Sequence, residues 1–504
     1  MKIVVVASEG VPFAKTGGLA DVAGALPRAL AKRGHTVSLI LPCHRTAWSA
    51  GPRLVGTGLT LHVPVGADHL EAFVHESRLP GSNVPVFLID RPEFFDRDEL
   101  YQVHGQDYAD NCARFVFFDR AVLEAIRRLG LHPAVIHCND WQTGLIPVYL
   151  KTLYRQVPEL ASAGTLMTIH NLAYLGLFWH WDMKLMGLDW SLFHHKALEF
   201  HGRLSFMKAG LVFADMLSTV SPTYAREIQS PILGCGLDGL LRERNADLRG
   251  IVNGIEPETW NPAHEPMLAR RYDSTNVGEG KAACKAWLQK TARLPIRAEV
   301  PLFAQIGRLV PQKGWDLLAA IANRLLALDV QLIVLGTGQP QYHRLLQRLE
   351  RRYAGKLRAY LGFDDDLAHQ IEAGADLFLM PSLYEPCGLN QLYSLAHGTI
   401  PLVRSTGGLA DTVVNTSPQT LADGSANGFV FAEPTAEALW QAIEAALAIW
   451  RDRVAWECLV RNGMEADWSW NHSAGEYERL YREILRRVQP APAQPVAREP
   501  ALVG

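Results

Sequence analysis

The sequence predicts an α/β protein made of two doubly wound, Rossmann-like domains facing a central cleft. Three observations predict it. Apolar, β-like runs alternate with helical stretches through the first half of the chain. That alternation stops in a stretch rich in Gly, Asn and Pro, from Leu248 to Pro262, and then begins again. The hexapeptide Thr-Gly-Gly-Leu-Ala-Asp occurs once in each half, at Thr16 to Asp21 and at Thr406 to Asp411.

In the first half the β-like runs are Lys2 to Ser8, Thr36 to Leu41, Val84 to Asp90, Ala134 to Cys138, Thr165 to Ile169 and Met216 to Val220. Between the second and third, Leu54 to Glu76 alternates as a hairpin does, so an inserted antiparallel element is expected there. In the second half the runs are Leu302 to Ile306, Gln331 to Leu335, Leu357 to Gly362, Leu377 to Met380 and Ile400 to Val403, with amphipathic helices between them. Trp468 to Val488 reads as a helix, and the Pro-rich Gln489 to Gly504 cannot sustain one. The expected organisation is therefore a first domain over 1–248, a second over 249–467, a helix over 468–488 returning to the first domain, and a disordered tail over 489–504.

At 504 residues the chain is too long for one core, and its 48% apolar content supports more than one. Forty-nine basic against 52 acidic residues, without a long basic run, excludes nucleic acid and a membrane surface as partners. Ser8-Glu9-Gly10-Val11-Pro12 breaks the apolar start before a signal segment or a span can form, so a cytoplasmic protein is expected. Seven scattered cysteines without a C-x-x-C pair indicate neither a disulfide framework nor a zinc site.

Each Thr-Gly-Gly turn follows a β-like run and precedes a helical one. Paired glycines allow close backbone approach and leave N–H groups pointing outward, which suits a phosphate or a sugar hydroxyl. Lys15 stands directly before the first turn, where its ammonium can reach such an anion. In the second half, Arg308 and Lys313 follow a buried strand and open a helix, as suits a diphosphate that leaves with negative charge. Glu385 lies between the strand Leu377 to Met380 and a helix expected to begin near Gly388, where its carboxylate can accept from sugar hydroxyls while the helix start faces phosphate. Cys387 near that helix start could have a lowered pKa, although structural filler is the favoured reading of it. His170 ends a buried run and so sits at a cleft edge.

In combination, Lys15-Thr-Gly-Gly-Leu-Ala-Asp21, Asn139-Asp140-Trp141, Thr168-Ile-His170-Asn171, Ser221-Pro-Thr-Tyr224, Asn253-Gly-Ile255, Arg308 with Gln312-Lys313-Gly314, Glu385-Pro-Cys-Gly388 and the second Thr-Gly-Gly-Leu-Ala-Asp resemble bacterial glycogen synthases and plant starch synthases, glycosyltransferase family 5. The resemblance runs from residue 1 to about 485. It implies a GT-B fold and transfer of glucose, with retention, from ADP-glucose to the non-reducing end of an α-1,4-glucan such as glycogen. It further implies that Lys15, Gly18 and Asp21 line the donor site and that Arg308 and Lys313 bind the diphosphate. Glu385 and the turn Cys387, Gly388, Leu389 and Asn390 would hold glucose and phosphates beside Gly407 and Gly408. Asn253 belongs to the same substrate-binding set. His170 would lie by the anomeric carbon, Asp140 near the donor glucose, and Phe363 under the adenine.

Three positions depart from the family's wider pattern. Tyr393 stands where many retaining relatives have a second glutamate, Asn390 where many have threonine, and Glu256 where many have aspartate. No carboxylate pair of the hydrolase type is evident, so front-face transfer is expected, with the leaving phosphate as base. No metal and no cofactor are expected. Asp364-Asp365-Asp366 formally fits a metal-holding Asp-x-Asp but reads better as a helix start. UDP-glucose in place of ADP-glucose is the alternative donor, because both share the diphosphate and glucose contacts. An NAD-dependent oxidoreductase is disfavoured, since Gly336-Thr-Gly338 lacks the third glycine of the fingerprint. A non-catalytic glucan binder is suggested by Phe178-Trp179-His180-Trp181 and Trp190, aromatics that core or interface packing would explain equally well.

Overall fold

The computed structural model describes residues 1–103 and 105–488, so the expected tail over 489–504 lies outside the described residues. The chain divides into two compact units. The first comprises Met1–Ser218, Gly239–Leu248 and the chain from Ala474; the second comprises Thr219–Asp238 and Arg249–Ser473.

The first unit is built on strands β1 (Lys2–Val6), β2 (Thr36–Pro42), β3 (Val55–Val65), β4 (Asp68–Arg78), β5 (Pro85–Asp90), β6 (Val135–Asn139), β7 (Gly164–Ile169), β8 (Met216–Thr219) and β9 (Leu248–Gly250). They form one nine-stranded sheet in the order β9-β8-β7-β6-β1-β2-β5-β4-β3. β1 pairs in parallel with both β2 and β6, and β2 with β5 and β6 with β7 likewise. The expected hairpin is present as β3 and β4, which pair antiparallel and extend the sheet from β5. Parallel strands covered on both faces need apolar residues at every position, and Ile3, Val4, Val5 and Val6 are all buried.

The second unit holds β10 (Leu302–Ile306), β11 (Gln331–Leu335), β12 (Leu357–Tyr360), β13 (Leu377–Met380), β14 (Ile400–Arg404) and β15 (Phe429–Phe431). These form a six-stranded parallel sheet in the order β12-β11-β10-β13-β14-β15. Two apolar cores lie on its opposite faces. Phe303, Leu332, Val334, Leu377 and Leu402 point into one, and Leu302, Ala304, Ile333, Phe378 and Val403 into the other. That alternation through the sheet is the structural form of a doubly wound domain. β15 was not among the expected strands: at three residues it is too short to show a period.

Thr219–Asp238, which the sequence places in the first domain, packs within the second unit. Thr223 donates to Asp411 through its backbone N (2.8 Å) and its hydroxyl (2.6 Å). The C-terminal helix begins at Trp470 rather than Trp468. Its buried Tyr481 bonds through its hydroxyl to His137 Nδ1 at 2.8 Å, and Glu478 pairs with Arg33 at 2.8 Å. His137 is held by Thr168 Oγ1 on its other nitrogen (2.6 Å), and burial pushes its pKa down to about 3.

This network predicts a graded response in denaturant unfolding of the full chain. Tyr481→Ala should cost about 3–5 kcal/mol through the cavity it leaves. Tyr481→Phe, which removes only the hydroxyl from His137, should cost about 1 kcal/mol.

Candidate functional site

In the first unit the expected residues gather at the C-terminal ends of β1, β6 and β7. Gly17, in extended conformation (φ −157°), caps the helix Gly18–Lys32, whose first turn carries Asp21. Lys15 Nζ pairs with Asp21 Oδ1 at 2.8 Å, so two expected donor-site groups hold each other. The turn's N–H groups do not point outward unfilled as expected. The buried Glu9 carboxylate accepts from the Thr16 backbone N–H, from Thr16 Oγ1 at 2.8 Å, and from the Gly17 backbone. Burial raises the Glu9 pKa to about 7; these hydrogen bonds pull it down, and the Asp21 charge adds to the rise.

Asp140 follows β6 with φ +57°, a left-handed position that turns its carboxylate toward the end of β7. There Asp140 Oδ1 accepts from the His170 backbone N–H at 2.7 Å. Burial raises Asp140 to about 7, against the hydrogen bonds from the His170 and Asn171 backbones and with help from the Glu9 charge. Burial also lowers His170 to about 3, so its ring is neutral. Asn139 Nδ2 donates to the Val6 carbonyl (2.9 Å), which orients Asn139 Oδ1 toward His170 Nε2 at 2.9 Å. Nε2 therefore carries the hydrogen and Nδ1 keeps the lone pair.

In the second unit the loops after β10, β13 and β14 are clamped together. Lys313 Nζ meets Glu385 Oε2 at 2.5 Å, and Ser382 Oγ donates to the same oxygen at 3.0 Å. Arg308 is exposed beyond Gly307 (φ +146°), with no side-chain partner among the described residues. Asn390 Nδ2 donates to the Ile306 carbonyl at 3.0 Å, tying the helix start to β10. That helix is Asn390–Ala396 with Leu389 as its cap, two residues later than expected. Asn253 is buried with its Oδ1 unpartnered. Burial pushes the Cys387 thiol up to about 12, as the favoured reading of it as structural filler expects; desolvation outweighs the nearby helix start. Phe363 is 85% exposed just before the helix Asp365–Gly374.

The second Thr-Gly-Gly turn repeats the device of the first. Glu227 accepts from the Gly407 N–H with both oxygens at 3.1 Å and from Thr406 Oγ1 at 2.9 Å. Here the glycines are also sterically required. A Cβ on Gly407 would lie 1.9 Å from the Glu385 carbonyl oxygen, and one on Gly408 would lie 2.0 Å from that of Cys387. Gly17 meets nothing within 4 Å. Glu9, Glu227 and Ser382 were missed from the sequence, and Asn139 was read there as part of a motif without a role. Only Glu9 gave a local hint, as a charged residue interrupting an apolar start.

Asp364 Oδ1 caps the helix by accepting from the Leu367 N–H at 2.9 Å. Among the described residues, one cluster has a metal-ligand composition, Glu265 with His369 and His397, all buried. Glu265 bonds one imidazole through each oxygen, both at 2.9 Å. Burial alone would raise Glu265, but the two imidazoles outweigh it and pull its pKa down to about 2. Tyr393 is buried and stacked on Trp260 at 3.6 Å.

Residues 2–243 match the model of the starch synthase catalytic domain, and residues 289–458 that of glycosyl transferases group 1. Glycogen synthase of Anaeromyxobacter sp. (strain Fw109-5) is 48% identical over 96% of this chain and 99% of its own. The chain belongs to the glycogen and starch synthase family of glycosyltransferases. The glycogen synthase of Anaeromyxobacter dehalogenans (strain 2CP-C) is 50% identical over 96% of this chain and all of its own. Among solved structures, the catalytic domain of starch synthase IV from Arabidopsis thaliana, bound to ADP and acarbose, has a TM-score of 0.89 at 33% identity, covering 96% of this chain and 99% of that one. Sucrose-phosphate synthase of Thermosynechococcus elongatus, at 19% identity and a TM-score of 0.58, shares the fold. No helix among the described residues is long and apolar enough to cross a membrane.

Two predictions for this glycosyltransferase follow from the turns. Gly408→Ala should lower the unfolding midpoint clearly, by about 1–3 kcal/mol of overpacking against a backbone oxygen, whereas Gly17→Ala should leave it nearly unchanged in the same thermal scan. Glu9 has its pKa raised on folding, so its stabilising contribution is complete below the unfolded-state value and is lost as pH rises through about 7. Glu9→Gln, which cannot ionise, should therefore lose less stability than the parent between pH 5.5 and pH 8.5, measured by denaturant titration at each pH.

Proposed function

We propose that this enzyme is a glycogen synthase that transfers glucose from ADP-glucose to the non-reducing end of an α-1,4-glucan, with retention and without a metal. The observation that carries the mechanism is the convergence, within the second unit, of Lys313, Glu385 and Ser382 beside the tightly packed Gly407-Gly408 turn. The pair is only partly buried, with the Lys313 side chain 22% exposed, so its ammonium is open to a further partner. Here the Lys313 ammonium is held ready for a second anion, the donor diphosphate, and Arg308 is exposed to join it. Glu385, freed in part from Lys313, accepts from glucose hydroxyls. Phe363 offers an exposed ring face to the adenine. Asn253 and the turn Cys387, Gly388, Leu389 and Asn390 complete this half of the binding set.

The C1–O bond to the diphosphate breaks as Arg308 and Lys313 take up the growing negative charge. The acceptor 4-hydroxyl forms the new C1–O bond on the same face and passes its proton to the departing phosphate. His170, neutral with its Nε2–H engaged by Asn139, is assigned beside the anomeric carbon. There it supplies shape and a lone pair rather than a second positive charge, which would oppose an oxocarbenium-like centre. Asp140, Lys15, Gly18 and Asp21 complete the donor contacts. The absence of a back-face nucleophile is supported by Tyr393, whose ring is spent in the stack with Trp260. Metal independence is supported by Asp364, whose carboxylate caps a helix. We place the reaction in the cytoplasm, a reading supported by the seven free cysteines.

Release of nucleoside diphosphate from ADP-glucose and UDP-glucose, with and without glycogen and with EDTA throughout, tests the reading. Glycogen-dependent ADP release in EDTA is expected; release of UDP alone, or none, would overturn the donor assignment. Lys313→Ala should lower kcat by about 100-fold, the equivalent of ~3 kcal/mol of lost charge stabilisation. Near-normal kcat in that variant would remove Lys313 from the mechanism.

A further inference from the structure

The segment that follows His170 in the first unit carries a group of aromatic rings that glucosyl transfer does not use. Phe178 points inward, 4.6 Å from Phe206 and 5.7 Å from Trp141. Its neighbours do not. Trp179, Trp181 and Trp190 are 58%, 51% and 45% exposed, so core packing does not account for them. The three indoles run in sequence, with Trp179 6.4 Å from Trp181 and Trp181 5.4 Å from Trp190, at interplanar angles of 62° and 72°.

The support beneath them is fixed. Met183, Met186 and Leu188 are buried, the Met186 carbonyl accepts from the Tyr149 hydroxyl at 3.2 Å, and the Leu185 carbonyl accepts from the Gly66 N–H at 2.9 Å. Asp189 and Ser191, on either side of Trp190 in the chain, and His194 and His195 just after it are exposed polar residues. Three half-exposed indoles in one contiguous apolar patch mark an interaction surface.

We propose that Trp179, Trp181 and Trp190 form a platform that holds an α-glucan chain, a carbohydrate contact separate from the residues assigned to transfer. The identity of its occupant rests on the glucan-synthase reading; the platform itself rests on the rings. Each indole offers an apolar face to the C–H face of one pyranose ring, while the polar residues beside them in the chain accept from and donate to hydroxyls. The rings are turned steeply from one another instead of lying in one plane. A chain that rotates from sugar to sugar, as an α-1,4-glucan does, can present its faces to them in turn. A flat β-linked chain cannot, and a protein partner would find no common apolar plane. Because the rings are held in place before binding, little ordering cost remains.

The test uses the full chain in native gels containing glycogen, with barley β-glucan as the parallel arm. Trp181→Ala and the pair Trp179→Ala with Trp190→Ala should each weaken glycogen retardation by about tenfold, the loss of one or more stacked faces. The same variants should raise KM for glycogen while the KM for ADP-glucose is kept. Phe73→Ala, at an aromatic 46% exposed elsewhere in the unit, controls for the loss of any surface ring. Unchanged retardation, equal retention by the β-glucan, or a change in light-scattering mass showing that the rings join two copies would each overturn the platform. Retardation of the parent that depends on the tryptophans, without ADP release from ADP-glucose, would keep the platform and sink the transfer reading. ADP release with tryptophan-independent retardation would do the reverse.

Discussion

Backbone N–H groups at a glycine turn that opens a helix must find an acceptor, and in both halves of this chain a glutamate supplies it. Glu9 takes the Thr16 and Gly17 donors, and Glu227 takes Gly407 and the Thr406 hydroxyl. The positive end of a helix, with donors unmet inside the helix, favours a carboxylate there, and at Glu9 burial outweighs that help. At each turn the acceptor is a carboxylate of the protein itself. The surrounding geometry depends on this. Glu227 fixes the turn whose glycines touch the Glu385 and Cys387 carbonyls, and Glu9 sets the loop that brings Lys15 to Asp21.

Charge is distributed differently in the two units. In the first, burial drives the titrating groups toward neutrality: His170 is uncharged and Asp140 and Glu9 sit near pH 7. In the second, Lys313 lies 2.5 Å from Glu385, and Arg308 is exposed to water. A neutral surface suits a sugar ring that becomes electron-poor as its bond to phosphate breaks. A cationic one suits the phosphate that leaves.

Much of this was legible in the sequence. Within the two large sheets the alternation of apolar runs located all but the short edge strands, β9 and β15, because a strand five residues long shows its burial locally; the short strands of the two small sheets, such as Leu177–Trp179 and Gln102–Val103, were not located either. Asp364 as a helix cap was equally local, three residues from the N–H it accepts. The chemistry of Lys15, Arg308, Lys313, Glu385 and His170 could be read from residue type and position after a strand. What could not be read was which of them would meet.

The chain by itself determined the two doubly wound halves, the glycines at the turns and the kinds of group at the strand ends, since each follows from neighbours within a few residues. Tertiary structure alone decided that Glu227 answers Gly407, 180 residues away, and that Lys313 finds Glu385 at a separation of 72. It decided that Cys387 is sealed into an inert thiol, and that three tryptophans of an apolar-looking segment face water. Periodicity and propensity act along the chain. Hydrogen-bond partnership and exposure are settled by which elements close over a residue, and that depends on contacts between segments remote in sequence.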